Sequence, residues 1–153
     1  MVRIDEFPDE IEEEFRNRDM PTFDDTPLTA GKPLNERRVS LISTAGLHRR
    51  GDRPFLDSSG EFRVIPKNLP DADLVMSHIS TNFDRLGFMK DADVAFPINR
   101  LKELAADGVI GSVGEFHYSF MGATPPEDME PNIDEIVNTL KADSVCSVVL
   151  CPV

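Results

Sequence analysis

From residue 37 onwards, short apolar segments alternate with amphipathic helical segments, and this alternation restricts the fold more than any other feature of the sequence. Short, nearly continuous apolar runs are typical of strands that are buried on both faces of a sheet. The runs predict strands over residues 39–43, 61–66, 74–77, 115–120 and 145–150, and helices within FPINRLKELAADG and PNIDEIVNTLKADS. The pattern predicts an α/β layered fold, in which helices flank a mainly parallel sheet.

The first 36 residues differ from the rest in composition. They are acidic and interrupted by four prolines, and only residues 10–18 have a helical pattern. We therefore predict an extended, proline-containing acidic arm over 1–36 and a folded part over 37–153. Such an arm either wraps around its own domain or docks on a partner.

The charge balance excludes several classes of function. The chain has 28 acidic and 16 basic side chains and a net charge of −12, whereas a nucleic-acid-binding protein needs a basic face. No apolar run approaches the roughly 20 residues of a membrane span, and the N-terminus lacks the pattern of a signal peptide. We expect a cytoplasmic protein that binds neither nucleic acid nor membrane.

The two cysteines, Cys146 and Cys151, are too few for a disulfide framework. On one strand, an offset of five places them on opposite faces, so we expect two buried, reduced thiols. The histidines are far apart and none is near a cysteine at ligand spacing, so no metal site is predicted. The dinucleotide, P-loop, G-x-S-x-G and H-E-x-x-H motifs are also absent from the sequence, so no cofactor is predicted within this chain.

Three histidines, His48, His78 and His117, fall at or near the ends of predicted strands or in the following loops. Ligands of parallel sheets bind beyond the carboxyl ends of the strands, so the histidines could converge on one crevice. There they could bind a substrate carboxylate or transfer protons near neutral pH. Alternatively, each is a single hydrogen-bonded histidine without a shared task. The polar residues after His78 could hold an amine or orient an imidazole, or be solvated loop residues: Asn82, Asp84, Asp91 and Asp93.

Three stretches carry a more specific signal: VSLISTAGLHRRGDRPF, VMSHISTNFDRLGFMKDADVAFPINRLKELAADGVIGSVGEFHYSFMGA and ADSVCSVVLCPV. Together they resemble the selenoprotein B components of the glycine, sarcosine, betaine and D-proline reductases, in the same order along the chain. The resemblance covers about residues 37–153 and leaves the arm outside. Residues 37–153 would then be the N-terminal part of a reductase domain. Loop lengths resemble the D-proline type more than the glycine type.

The resemblance implies an oxidoreductase component that reductively cleaves the C–N bond of an amino acid or amine, of the glycine, sarcosine, betaine or D-proline type. Formally, X–H and Y–H form an X–Y bond with a disulfide as acceptor. It implies a selenocysteine directly after Val153, which attacks the carbon bearing the nitrogen, and a thiol that resolves the selenium adduct. It also implies partners: other reductase subunits, a dithiol electron donor and, in the D-proline and glycine systems, a pyruvoyl group on a partner subunit.

By the same resemblance, His48, His78 and His117 have pocket roles, such as holding the carboxylate or protonating the leaving amine, and Asp84 positions the amine or a histidine. Cys151 is expected to be an ordinary residue at a strand end, and not the redox residue.

Because selenocysteine is encoded by UGA, the resemblance also suggests a chain truncated at that codon, lacking its nucleophile and reductase activity. We expect this form to be less stable than the whole protein, because an unpaired final strand would expose core surface. Two alternatives stay open: a non-catalytic α/β partner-binding or regulatory domain that is complete at 153 residues, and a thiol redox protein that uses Cys146 and Cys151.

Overall fold

The chain divides into two compact units, Met1–Ala30 and Gly31–Val153. The computed structural model describes residues 3–19, 22, 29–57, 59–80 and 85–153. In the first unit, a 3-10 turn at Ile4–Glu6 precedes helix α1, Asp9–Arg16, which confirms the predicted short helix. No residue of these two elements is buried.

A five-stranded sheet lies at the centre of the second unit. Strand β1 (Arg38–Ser43) pairs in parallel with β5 (Ser112–Val113), β6 (Phe116–Phe120) and β7 (Ser147–Cys151). Strand β3 (Phe62–Pro66) pairs antiparallel with β6. The mainly parallel sheet predicted from the apolar runs is confirmed.

Helices pack on both faces of this sheet. The helices are α2 (Leu86–Lys90), α3 (Ile98–Ala106), α4 (Pro126–Met129) and α5 (Ile133–Ala142).

Helix α3 buries Ile98 and Leu101 in a core cluster with Val39 and Leu41 of β1. Helix α5 buries Ile136 and Leu140 in a second cluster, against Tyr118 and Phe120 of β6. Successive strand residues point to opposite faces, so the apolar runs supply both clusters. Each fully buried aliphatic side chain contributes about 1.5–3 kcal/mol.

A second, two-stranded sheet contains a strand that the sequence pattern assigns incorrectly. Strand β4 (Leu74–Met76) pairs antiparallel with β2 (Leu47–Arg49), not with the main sheet. The pattern also misses β2, β5 and α4. These elements have only two to four residues, too few to show a period.

The last strand begins later than the pattern predicts, at Ser147, and is preceded by Ser144, which adopts a positive φ of 56°. Cys146 therefore precedes the strand and is exposed, so the prediction of two buried thiols is wrong for Cys146. Cys151 ends the strand and is half-buried, and both thiols are free.

Among the described residues, no helix is long and apolar enough to span a bilayer.

Candidate functional site at the carboxyl edge

Three parallel strands end together at one edge of the main sheet. Ser43, the last residue of β1, is in register with Ser119 of β6 and with Cys151 of β7. We call this the carboxyl edge; it consists of the residues that follow the three strands and the segment lying against them: Thr44, Gly46, His78, Met121, Gly122, Pro152 and Val153. Crevices beyond such edges are where ligands of α/β sheets bind.

The segment after β4 is fastened to this edge by backbone hydrogen bonds, although β4 is outside the main sheet. The Gly46 N–H donates to the Phe120 carbonyl (2.8 Å), and the Ser77 N–H donates to the Gly46 carbonyl (2.9 Å). Gly46 has a φ of 65°, and a Cβ there would lie 3.1 Å from the backbone N and Cα of His78. A glycine at this turn thus lets the His78 backbone approach the edge closely.

His78 is buried at the edge, with 5% of its surface exposed. Its Nδ1 accepts a hydrogen bond from the Ser80 N–H (3.2 Å), so the neutral ring carries its proton on Nε2. A Cβ placed on Gly122 would lie 2.5 Å from His78 Nε2. Burial, and secondly the positive charge of Arg85, lower the pKa of His78. The ring is therefore a neutral N–H donor at pH 7.

Thr44 connects the ends of β1 and β7. Its N–H donates to the Cys151 carbonyl (3.2 Å), and its Oγ1 accepts from the Val153 N–H (2.8 Å). The hydroxyl also donates to the Val153 carbonyl (3.3 Å). The carbonyl oxygens of Thr44 and Val153 each lie 2.8 Å from the position of a Cβ on Gly122. The sequence analysis missed Thr44; its position directly after a buried strand was the available signal.

His48 lies on β2, opposite Val75 of β4, and is 5% exposed. Its Nδ1 lies 3.0 Å from the carbonyl of Arg49, to which it donates, so Nε2 is left as a buried acceptor. The structure thus places His48 two residues beyond Gly46, beside the carboxyl edge.

His117 lies inside the sheet, three residues before the end of β6, and is fully buried. β5 and β6 are separated at Gly114 and Glu115, and here the Leu41 N–H donates to His117 Nδ1 (3.0 Å). Burial, and secondly Lys102, lower the pKa of His117 to about 4. This geometry differs from the predicted position at a strand end, and it supports a structural role for a neutral His117.

Of the other predicted residues, the structure describes Asp91 and Asp93. Asp84 and Asn82 lie outside the described residues, so their predicted roles stay predictions. Asp91 accepts from the Asp93 N–H, and Asp93 accepts from the Asn99 N–H and pairs with Arg100, so both carboxylates fix the turn before α3. Among the described residues, no group of three or more His, Cys, Asp or Glu could hold a metal ion.

Cys151, the last residue of β7, lies next to the carboxyl edge but is a poor nucleophile. Burial raises the pKa of its thiol, so the thiol is protonated at neutral pH. The described side chains of this edge therefore supply a hydrogen-bond donor and a hydroxyl, without an activated nucleophile.

A basic cleft of about 390 Å³ opens at the opposite edge of the sheet, near the start of β1 and β5, with Arg38, Lys67 and Lys102 in its lining. Two of its three cations are already paired. Arg38 bonds Asp143 (2.5 Å), and Lys67 bonds Glu115. Because two of its cations are already paired, this cleft is a weaker candidate for a ligand site than the carboxyl edge.

The family model and the curated relatives that match this chain point to the same family. The family model for glycine/sarcosine/betaine reductase selenoprotein B matches residues 9–153. The match begins well inside the acidic arm, so the expectation that the arm lies outside the resemblance is wrong. No solved structure shows a significant match to the chain.

The chain is similar to three curated reductase subunits. It is 33% identical over 128 residues to the D-proline reductase subunit gamma of Acetoanaerobium sticklandii, covering 82% of this chain and 51% of that subunit. It is 27% identical over 137 residues to the glycine reductase complex component B subunit gamma of Symbiobacterium thermophilum, covering 86% and 32%. It is 24% identical over 108 residues to the sarcosine reductase complex component B subunit beta of Peptoclostridium acidaminophilum, covering 67% and 25%. The chain thus spans about half or less of the length of these relatives.

Proposed function

The chain belongs to the glycine/sarcosine/betaine reductase selenoprotein B family, and from this premise we propose that it contributes one wall of a reductase active site at the carboxyl edge. The reaction is the reductive cleavage of the C–N bond of a small amino acid or amine, with electrons from a dithiol. The match of the family model over residues 9–153 is the observation that carries the proposal.

The nucleophile of this site is, in our proposal, a selenocysteine directly after Val153. A selenol ionises more readily than a thiol and supplies a nucleophile at neutral pH, which the protonated Cys151 thiol does not. The carboxyl edge has the features that such a residue needs. It is the end of a parallel strand, and it has an N–H donor, His78 Nε2, and the Val153 carbonyl close to the same point beside Gly122.

His78 is the residue of this chain to which we assign a binding role. Its lowered pKa keeps it neutral, so it is better suited to donate a hydrogen bond than to deliver a proton. We assign its Nε2–H to the substrate carboxylate, which is common to glycine, sarcosine, betaine and D-proline. Protonation of the leaving amine then requires another group, and Asp84, which follows His78 by six residues, is retained as the proposed group that positions the amine.

The partners follow from the names of the relatives, which are subunits of multi-component reductases. We propose that this chain acts with other reductase subunits and that any pyruvoyl group that activates the amine belongs to one of them. The chain is more similar to the D-proline subunit than to the glycine subunit, at 33% against 27% identity, so D-proline is the first substrate to test.

The test is expression from the native gene, with its partner subunits, in a selenium-supplied anaerobic host. A product longer than 153 residues that contains selenium, and dithiol-dependent opening of the D-proline ring, are the expected results. Reading the codon after Val153 as UGA would agree with them.

Two controls keep this test decisive. The same culture without selenium should lack the longer product and the activity, and glycine, sarcosine and betaine should be assayed in parallel. A UAA or UAG codon, or a single short product under both conditions, would contradict the selenocysteine proposal. Activity on a different member of the substrate set would contradict only the preference for D-proline.

A further inference from the structure

Thr44 is the first residue after β1, and its side chain continues the hydrogen bonding between β1 and β7 beyond the end of both strands. The last backbone bond between them runs from the Thr44 N–H to the Cys151 carbonyl (3.2 Å). Pro152 has no N–H and cannot extend the ladder. The Thr44 hydroxyl then takes the place of a backbone partner, accepting from the Val153 N–H at 2.8 Å.

This hydroxyl holds both backbone groups of Val153. It accepts from the N–H and donates to the carbonyl oxygen, 3.3 Å away. The N–H and the carbonyl of Val153 lie on either side of its Cα, so holding both groups restricts the φ and ψ of Val153 and determines the direction in which the chain leaves β7. That direction passes Gly122, where the Val153 carbonyl and His78 Nε2 lie within 2.8 Å of the same point.

We propose that Thr44 is a positioning residue for the nucleophile that follows Val153; this inference rests on the proposed function. Thr44 touches neither substrate nor selenium. It acts through Val153 by fixing the peptide that carries the nucleophile beside His78. Displacement of a reacting group by about 1 Å can lower a rate by about 100-fold, so loss of the hydroxyl would affect the rate much more than the stability.

A merely structural role makes a different prediction. A single neutral hydrogen bond contributes about 1 kcal/mol to folding, and its loss at an exposed strand end would leave the rate of a correctly folded enzyme unchanged. The two roles are therefore separated by measurements on folded protein.

The experiment uses the whole selenoprotein, assembled with its partner subunits, as wild type and as Thr44→Val and Thr44→Ser variants. Valine keeps the shape of threonine without the hydroxyl, and serine keeps the hydroxyl. Thr139→Val is the matched control, because the Thr139 hydroxyl bonds the carbonyl of Glu135 within α5 and interacts with Tyr118, and neither residue belongs to the carboxyl edge. The readouts are kcat, KM, the pH dependence of selenol alkylation by iodoacetamide, and amide hydrogen exchange at Val153.

We expect Thr44→Val to speed exchange at Val153, to lower kcat by about 10- to 100-fold at an unchanged KM, and to shift the pH midpoint of alkylation. Thr44→Ser should restore all three towards wild type, and Thr139→Val should change none. Unchanged exchange at Val153 in Thr44→Val would show that the Thr44 hydroxyl does not hold Val153. Faster exchange with unchanged kcat and alkylation would show that the role of Thr44 is only structural. Either outcome overturns the inference, whereas a wild type without selenol alkylation or turnover overturns the proposed function itself.

Discussion

Gly122 follows β6 by two residues, and a methyl group at this position would sit 2.5 Å from the imidazole Nε2 of His78 and 2.8 Å from two carbonyl oxygens. Two of these three neighbours are backbone atoms, which cannot rotate away. His117 is also held in a fixed position, because its Nδ1 is the acceptor for the Leu41 N–H inside the sheet. At this scale the two residues support different predictions, one of stability and one of pH dependence.

We expect Gly122→Ala to lower the free energy of unfolding by about 1–3 kcal/mol, because the edge must open to admit the methyl group. Urea unfolding of the 153-residue chain measures the change. The matched control is Gly87→Ala in α2, where the nearest atom, Cγ1 of Val94, would be 3.4 Å from the new Cβ. Alanine favours a helix over glycine, so this control should be neutral or slightly stabilising. Equal effects of the two substitutions would contradict the close approach at Gly122.

We expect His117 to make the fold sensitive to acid. Its pKa is about 4 in the folded chain and near 6.5 in the unfolded chain, so between these pH values protons bind preferentially to the unfolded state. The stability that depends on neutral His117 is complete above pH 6.5 and falls by up to about 3 kcal/mol as the pH approaches 4.

Unfolding free energies of wild type and His117→Asn, measured from pH 7.5 to 4, test this prediction. An asparagine oxygen can still accept from the Leu41 N–H but does not titrate in this range. The variant should lose the part of the pH dependence between 6.5 and 4 that is due to His117, while the slope from the carboxylates remains in both proteins. Parallel curves for the two proteins would show that His117 titrates normally.

At the scale of elements, β7 is the strand whose surroundings least match its sequence. The run of residues 145–150 predicts a strand buried on both faces, yet Val148, Val149 and Leu150 are all exposed. Among the described strands, β7 pairs with β1 alone. An exposed apolar edge of this kind is a surface on which chains associate.

We expect Leu150→Lys to reduce self-association of the 153-residue chain without changing its unfolding free energy by more than about 0.5 kcal/mol. Leu150 is 70% exposed, and Leu56→Lys is the matched control because Leu56 is 67% exposed and lies in a loop. Concentration-dependent light scattering should fall for Leu150→Lys and stay at the wild-type level for Leu56→Lys. A similar fall for both would attribute the effect to added charge and not to the strand edge.

At the scale of the whole molecule, charge and core are divided unequally between the two units. Met1–Ala30 holds ten acidic and three basic residues, so it carries −7 of the net −12. Both core clusters belong to Gly31–Val153. The family model nevertheless matches from residue 9, so the first unit belongs to the family although α1 buries no residue.

We expect a chain that begins at Gly31 to keep the unfolding free energy of the 153-residue chain within about 1 kcal/mol, because the removed elements contribute no buried side chain. Thermal and urea unfolding of the two chains, compared at equal ionic strength, measure the difference. A large loss of stability in the shorter chain would show that the first unit contributes to the core after all.

The alternation of apolar runs and amphipathic segments determined the α/β class and six longer elements of the second unit, because burial on two faces requires that composition. The quoted motifs were also sufficient to suggest the reductase family. The separate β2–β4 sheet depends on elements too short to have a period, and its pairing was decided by tertiary contacts. Tertiary contacts also placed His78 on the carboxyl edge and His117 inside the sheet, although both follow or belong to apolar strands in the sequence. Hydrogen-bond partners such as Leu41 for His117 and Val153 for Thr44 are 76 and 109 residues away, and no local pattern specifies pairs at that separation.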